Sequence, residues 1–177
     1  MSRPSFPLQQ INRWDVELCE FCNRQSRHIS VRNLFRLASR LGDGVFWYTL
    51  MIVLLLCYQA AALPAVIHML AVGLACTAVY KLVKHKTLRP RPFNVYPAIV
   101  CMGKTLDQFS FPSGHTLHAV GFSIIAVFYF PALIWLLLPF SILVALSRPI
   151  LGLHYPSDVL AGALIGTLIA TCSLYLI

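Results

Sequence analysis

Acidic residues are scarce in this chain. It carries six Asp and Glu against fourteen Lys and Arg, and after Asp43 the acids are Asp107 and Asp158 alone. No carboxylate cluster therefore offers a cage for magnesium. Charge of either sign is missing from Val45 to Tyr80 and again from Thr116 to Ser147. A soluble domain of 177 residues that is 58% hydrophobic cannot hide so much apolar surface, so a bilayer is the solvent this composition fits. A net charge of +8 invites a nucleic-acid reading, but the cations flank apolar runs and build no basic domain, so no nucleic acid is expected.

Other absences narrow the reading further. The opening "MSRPSFPLQQ" is polar and Pro-rich, with no apolar stretch behind it. No cleavable signal peptide is expected, and the first spanning helix would act as its own insertion signal. The six cysteines form no disulfide framework. Cys57, Cys76 and Cys172 sit in apolar runs, where Cys acts as a small hydrophobe. Cys19 and Cys22 make a lone C-x-x-C, and a zinc site would need two more ligands, so helix packing is the plainer reading. There are no convincing internal repeats.

What remains is helical. Residues 12–40 carry an apolar stripe of Trp14, Leu18, Phe21 and Cys22, then Leu34, Phe35, Ala38 and Leu41, with Arg32, Arg36 and Arg40 as a basic stripe. Such a helix lies in the headgroup layer or packs on protein. "LGDG" at Leu41–Gly44 breaks it. The uncharged run after it is too long for one crossing and divides at "QAAALP", giving helices over about 44–62 and 64–84. The basic, Pro-rich stretch from His85 to Ser113 reads as a long functional loop. Pro131 divides the next run into helices over about 114–130 and 132–148, and a last helix covers about 157–177. The fold class is thus all-α: an integral membrane bundle of about five spanning helices (44–177) behind an N-terminal amphipathic surface helix (1–43). Gly162 and Gly166, four apart, point to close helix packing within the bundle.

Three clusters fall on one predicted face. Lys84 and Arg91 flank the start of the long loop. "PSGH" puts Ser113, Gly114 and His115 at a helix start, where free N–H groups face an anion. Arg148, His154 and Asp158 surround the last helix start. Singly, each reads as a membrane flank or a capped helix; together they supply cations, two histidines, a carboxylate and a helix N-terminus, which makes an anion site with a nucleophile and an acid.

The order Lys84-x6-Arg91-Pro92, Pro112-Ser113-Gly114-His115, then Ser147-Arg148-x5-His154-x3-Asp158 resembles the three-part signature of the type-2 phosphatidic acid phosphatase superfamily, which also includes the vanadium haloperoxidases. The resemblance covers about residues 45–177. It implies that His154 is the nucleophile, Asp158 its orienting carboxylate, and His115 the proton donor. It implies that Lys84, Arg91, Ser113, Gly114 and Arg148 hold the phosphoryl oxygens, with no metal and no cofactor. Such a chain would hydrolyse a lipid phosphate or diphosphate, of undecaprenyl diphosphate type or of phosphatidic acid and phosphatidylglycerophosphate type. The alternative is a non-catalytic lipid-phosphate-binding or transport protein. The expected partners are the lipid substrate and membrane lipids, in a bacterial inner membrane crossed several times. Oligomeric state is open. Relatives often have six crossings where five are counted here. The cations cluster on the motif side, which places the site at the cytoplasmic face by the positive-inside rule.

Overall fold

The computed structural model describes residues 6–105 and 107–176, with side chains described from Arg13 onward. Every regular element among them is helical. The chain runs through α1 (Phe6–Gln25), α2 (Ile29–Arg40), α3 (Phe46–Tyr58), α4 (Leu63–Thr87), a single turn α5 (Pro92–Val95), α6 (Gly114–Tyr129), α7 (Ile134–Ile150) and α8 (Pro156–Leu174). Three helical stretches are long and apolar enough to cross a membrane: Ile29–Thr87, Pro131–Ile150 and Pro156–Leu174. The apolar α6, at 16 residues, is shorter.

The first stretch is not one rod. A kink within Leu41–Val45 joins α2 to α3, and Gly44 takes φ 126° there, a conformation open to glycine. A second break at Gln59, φ 49°, ends α3 and lets α4 start behind Pro64. α3 is therefore shorter than the expected 44–62 helix. α4 is longer: it carries Lys84, His85 and Lys86 in its last turn, where cations suit the negative end of the helix dipole. The long loop thus begins later than the sequence suggests, and Pro92 starts the short α5 inside it.

The expected single helix over 12–40 is two helices, parted at Ser26–His28. Half of the expected apolar stripe points away from the protein, with Trp14, Leu18, Phe21 and Leu34 exposed, whereas Ala38 of the same stripe is buried along with Asp15, Cys19, Asn23 and Ser39. That is the arrangement of a helix offering its apolar face to a bilayer while a narrow polar edge docks on the protein. Asn23 fixes the docking, donating to the carbonyls of Val100 and Ile150 at 3.0 Å each and accepting from the Val100 N–H at 2.9 Å.

The core of the bundle joins α3, α4, α6, α7 and α8 around Trp47, Met69, Leu117, Ile125 and Leu137. α6 and α8 meet backbone to backbone. A Cβ at Gly162 would lie 2.5 Å from the Ser113 carbonyl oxygen, and one at Gly166 would lie 2.4 Å from that of Leu117. The two small residues therefore serve packing within the bundle, as their spacing suggests.

Candidate active site

The close contact of α6 with α8 brings their N-termini side by side, and the catalytic-type residues sit on those ends and on the loops before them. Ser113 caps α6: its Oγ accepts from the Thr116 N–H and lies 2.9 Å from Thr116 Oγ1, and its own N–H donates to the Asp158 carbonyl at 3.0 Å. His115 follows in the first turn of α6. Before α8, the chain from Arg148 to Tyr155 folds into a tight return. Gly152 makes it possible, with φ 74° and a Cβ position only 2.6 Å from the Val100 carbonyl oxygen. The N–H groups of Leu153 and His154 then both donate to the Arg148 carbonyl, at 2.9 and 3.3 Å.

Six of the residues named from the sequence, Lys84, Arg91, Gly114, His115, Arg148 and His154, line one cavity of about 420 Å³. Its far end is apolar, with Trp47, Leu70, Leu74 and Phe122 from α3, α4 and α6. Asp158 and Ser113 are fully buried behind the wall. The Ser113 hydroxyl does not line the cavity and caps α6.

His154 is placed between two charges. Its Nδ1 lies 3.6 Å from Asp158 Oδ2, at ion-pair distance and just outside hydrogen-bonding range. Its Nε2 faces the cavity cations, 3.5 Å from Arg91 Nη1. Burial, then the charges of Arg148, Arg91 and Lys84, hold the imidazole well below the ordinary histidine value, which favours its neutral form. Asp158 is itself held on both oxygens. Oδ2 accepts from the Tyr155 N–H at 2.9 Å and Oδ1 from Arg89 Nη1 at 2.6 Å.

The sequence reading missed several members of this site. Arg89 reaches back to Asp15 of α1 at 2.6 Å, and Asp15 in turn accepts from the Ser157 N–H at 2.9 Å. Asp107 bridges a cation of α4 and one of the loop, accepting from Lys84 Nζ at 2.5 Å and from Arg91 Nη2 at 2.8 Å. Burial works against its ionisation, but Lys84 and Arg91 outweigh that and hold its carboxyl below the usual range. Arg148 donates to Ser39 Oγ at 2.6 Å, while its Nε is buried without a partner. Asp43 contacts His115 Nε2. Cys19, half of the C-x-x-C, donates to the His154 carbonyl at 3.6 Å, and burial, followed by neighbouring acidic groups, pushes its thiol up to about 12, which suits a packing role. Among the described residues no group of three His, Cys, Asp or Glu is arranged to hold a metal.

A neutral imidazole flanked by a carboxylate, three cations around an open space and a second histidine across it form a constellation suited to phosphoryl transfer. Comparison with known proteins agrees. The chain is 36% identical over 92 residues to an undecaprenyl-diphosphatase of Sulfolobus acidocaldarius, covering 51% of this chain and 44% of that one. It is 33% identical over 97 residues to the undecaprenyl-diphosphatase BcrC of Bacillus subtilis, covering 55% and 50%. The matches thus span about half the length of these curated relatives. The fold is similar to that of a transmembrane PAP2-type phosphatidylglycerolphosphate phosphatase from Bacillus subtilis, with TM-score 0.75 and 22% identity, over 92% of this chain and 84% of that one. The description of the PAP2 superfamily matches residues 64–177, more than half the chain and all three motifs, and the chain therefore belongs to the PAP2 superfamily.

Proposed function

We propose that this multi-pass membrane protein is a metal-independent lipid phosphatase working through a phosphohistidine. One observation carries the reading: a neutral His154 whose Nε2 faces the cation nest while its Nδ1 faces a fixed carboxylate. The terminal phosphoryl group of the substrate would sit among Lys84, Arg91 and Arg148, beside the N–H groups that open α6. His154 Nε2 attacks phosphorus, and the bond from phosphorus to the lipid-side oxygen breaks. His115 gives that oxygen a proton. Asp158 accepts the Nδ1 proton in a hydrogen bond that tightens as the ring becomes cationic. His115 then takes a proton from water, the water oxygen attacks phosphorus, and the P–N bond breaks to release phosphate. Charge stabilisation by positioned cations supplies most of the catalysis.

The apolar end of the cavity gives a lipid tail a place beside the reacting group. Both substrate classes remain open: an isoprenoid diphosphate, or a glycerolipid phosphate such as phosphatidic acid or phosphatidylglycerophosphate. Five crossings, by α3, α4, α6, α7 and α8, in a bacterial plasma membrane complete the reading. It is supported by contacts of both N-terminal helices with the catalytic face, Asp15 and Asn23 from α1 and Ser39 from the end of α2. With both helices held there, residues 12–40 need not make a sixth crossing. The arginines from Arg13 to Arg40 then share the side of the site, which the positive-inside rule makes cytoplasmic.

The test is phosphate release by the purified protein from a panel of lipid phosphates and diphosphates in the presence of a chelator, with acid-labile labelling of the protein as the second readout. Release from at least one lipid with a labelled intermediate supports the reading. Binding of the lipids with no release supports the binding or transport alternative.

A further inference from the structure

The turn Gly42-Asp43-Gly44 does more than end a helix. It carries a carboxylate into the cavity wall at the one point where a second histidine needs a partner. Asp43 Oδ1 contacts His115 Nε2, and both residues line the 420 Å³ cavity with Lys84, Arg91 and His154. The backbone there is specialised for that placement. The chain kinks within Leu41–Val45, Gly44 takes φ 126°, and Gly42 packs so closely on α7 that a Cβ would lie 3.0 Å from the Val144 methyls. Gly44 takes a backbone conformation there that side-chain-bearing residues rarely adopt, and such departures gather where a side chain has to be aimed. An acid is also rare here: Asp43 is one of six in the chain.

We infer that Asp43 is a positioning residue for the proton donor: it orients the His115 ring and stabilises its cationic form, so that a proton is available to the leaving oxygen and can be taken back from water. The inference rests on the proposed phosphatase reading and goes beyond it, since none of the three motifs contains Asp43. The charges that act on the pair come from every side. Arg148 of α7 acts on both partners, Lys104 of the long loop acts on Asp43, and His118, one turn further along α6, acts on His115. Against the Arg148 cation, an imidazolium at position 115 needs a nearby negative charge, and Asp43 is the carboxylate in contact with it. His118 is occupied otherwise, with Nδ1 2.8 Å from the Gly114 carbonyl oxygen and Nε2 3.0 Å from Thr77 Oγ1.

A proton donor matters in proportion to how poor the leaving group is, which separates this role from a structural one. The experiment compares the wild type with Asp43→Asn, His115→Ala and the double variant, all purified in detergent. Two substrates are used: dodecyl phosphate, which leaves as an alcohol, and p-nitrophenyl phosphate, which leaves unaided. General acid catalysis contributes about 10²- to 10⁴-fold. Asp43→Asn is therefore expected to lower kcat on dodecyl phosphate by roughly 10- to 100-fold, at least ten times more than on the nitrophenyl ester, with KM moved less than kcat. The double variant should be no slower than His115→Ala, because the aspartate acts through the histidine. Asp43→Glu, which keeps the charge, should recover part of the loss. Equal losses on the two substrates, or losses that multiply in the double variant, overturn the positioning role. A variant that fails to fold loses both substrates equally and counts in the same way, with the melting temperature in detergent identifying the cause. If His115→Ala itself shows no preference between leaving groups, the assignment of His115 falls and Asp43 with it. If the wild type hydrolyses neither ester and no lipid, the phosphatase reading has failed.

Discussion

Replacing Asp107 by Asn should make the protein less stable and yet a tighter binder of phosphate. The carboxylate joins two cations, Lys84 at 2.5 Å and Arg91 at 2.8 Å, whose side chains are 7% and 2% exposed. Removing one partner of a fully buried pair costs about 3–5 kcal/mol. Asp107 is itself 33% exposed, so solvent screens part of its contribution, and about 1–3 kcal/mol is the fitting range. For a chain of this size that is a fall in melting temperature of roughly 3–10 °C. The same two cations are proposed to hold the substrate phosphoryl group, so the carboxylate competes with it. With Asn in its place, phosphate should bind about ten-fold more tightly, returning about 1.4 kcal/mol when the anion is in excess. The assay is thermal unfolding in detergent, with and without phosphate. The sign with pH also follows. A carboxyl held below its usual range contributes stability above about pH 4 and loses it as pH falls through the lower folded value, so the wild type and the variant should converge in acid. If phosphate stabilised the variant no more than the wild type, Lys84 and Arg91 would not be phosphate ligands.

Other outcomes follow from the same geometry. His154→Ala should abolish turnover and labelling by a phosphate donor, since its Nε2 is the ring nitrogen beside Arg91 while that of His115 is engaged by Asp43; near-normal hydrolysis in a folded variant would remove it from the mechanism. Asp158→Asn should lower kcat by about 10²-fold, with a smaller effect on KM, because the carboxylate acts on the cationic ring formed during reaction; steady-state kinetics decide this. Gly166→Val should lower stability by about 1–3 kcal/mol or more, since its side chain meets the Leu117 carbonyl, and activity should fall with it. For orientation, a protein retaining Cys101 as its one cysteine should resist an impermeant thiol reagent in intact cells, while a Gln59→Cys variant of a cysteine-free chain should react. The opposite pattern would place the site outside.

The sequence reveals the residues that belong to motifs and conceals those whose partners are distant. Lys84, Arg91, His115, Arg148 and His154 are legible because their types and spacings repeat a known signature, and the structure brings all five to one cavity. Asp15, Asp43 and Asp107 carry no such mark. Each pairs across a separation that only the folded chain sets, 74 residues for Asp15 with Arg89 and 72 for Asp43 with His115. Their scarcity was the available signal: of six acids in an apolar chain, Asp15, Asp43, Asp107 and Asp158 all converge on the cations and histidines of one face. Helix limits were harder still. The run after Gly44 stays uncharged through α3, the turn at Gln59 and on to Tyr80 in α4, so the absence of charge alone does not place the break, and α4 holds its cations because a helix C-terminus favours them.

The contact from Asp15 through Arg89 to Asp158 has a consequence for what counts as the protein's minimal unit. The region matching the superfamily begins at residue 64, yet the carboxylate that faces the proposed nucleophile is held by an arginine whose other hand grips α1. A fragment cut at that boundary would keep all three motifs and forfeit Asp15, Ser39 and Asp43 together. It would retain the vocabulary of the catalyst without its grammar. Shortened forms, chimeras and designs that treat the first forty residues as a detachable anchor should therefore be judged by whether they still present an acid to Arg89. A graft that restored that single charge would still leave His115 without Asp43 and Arg148 without Ser39.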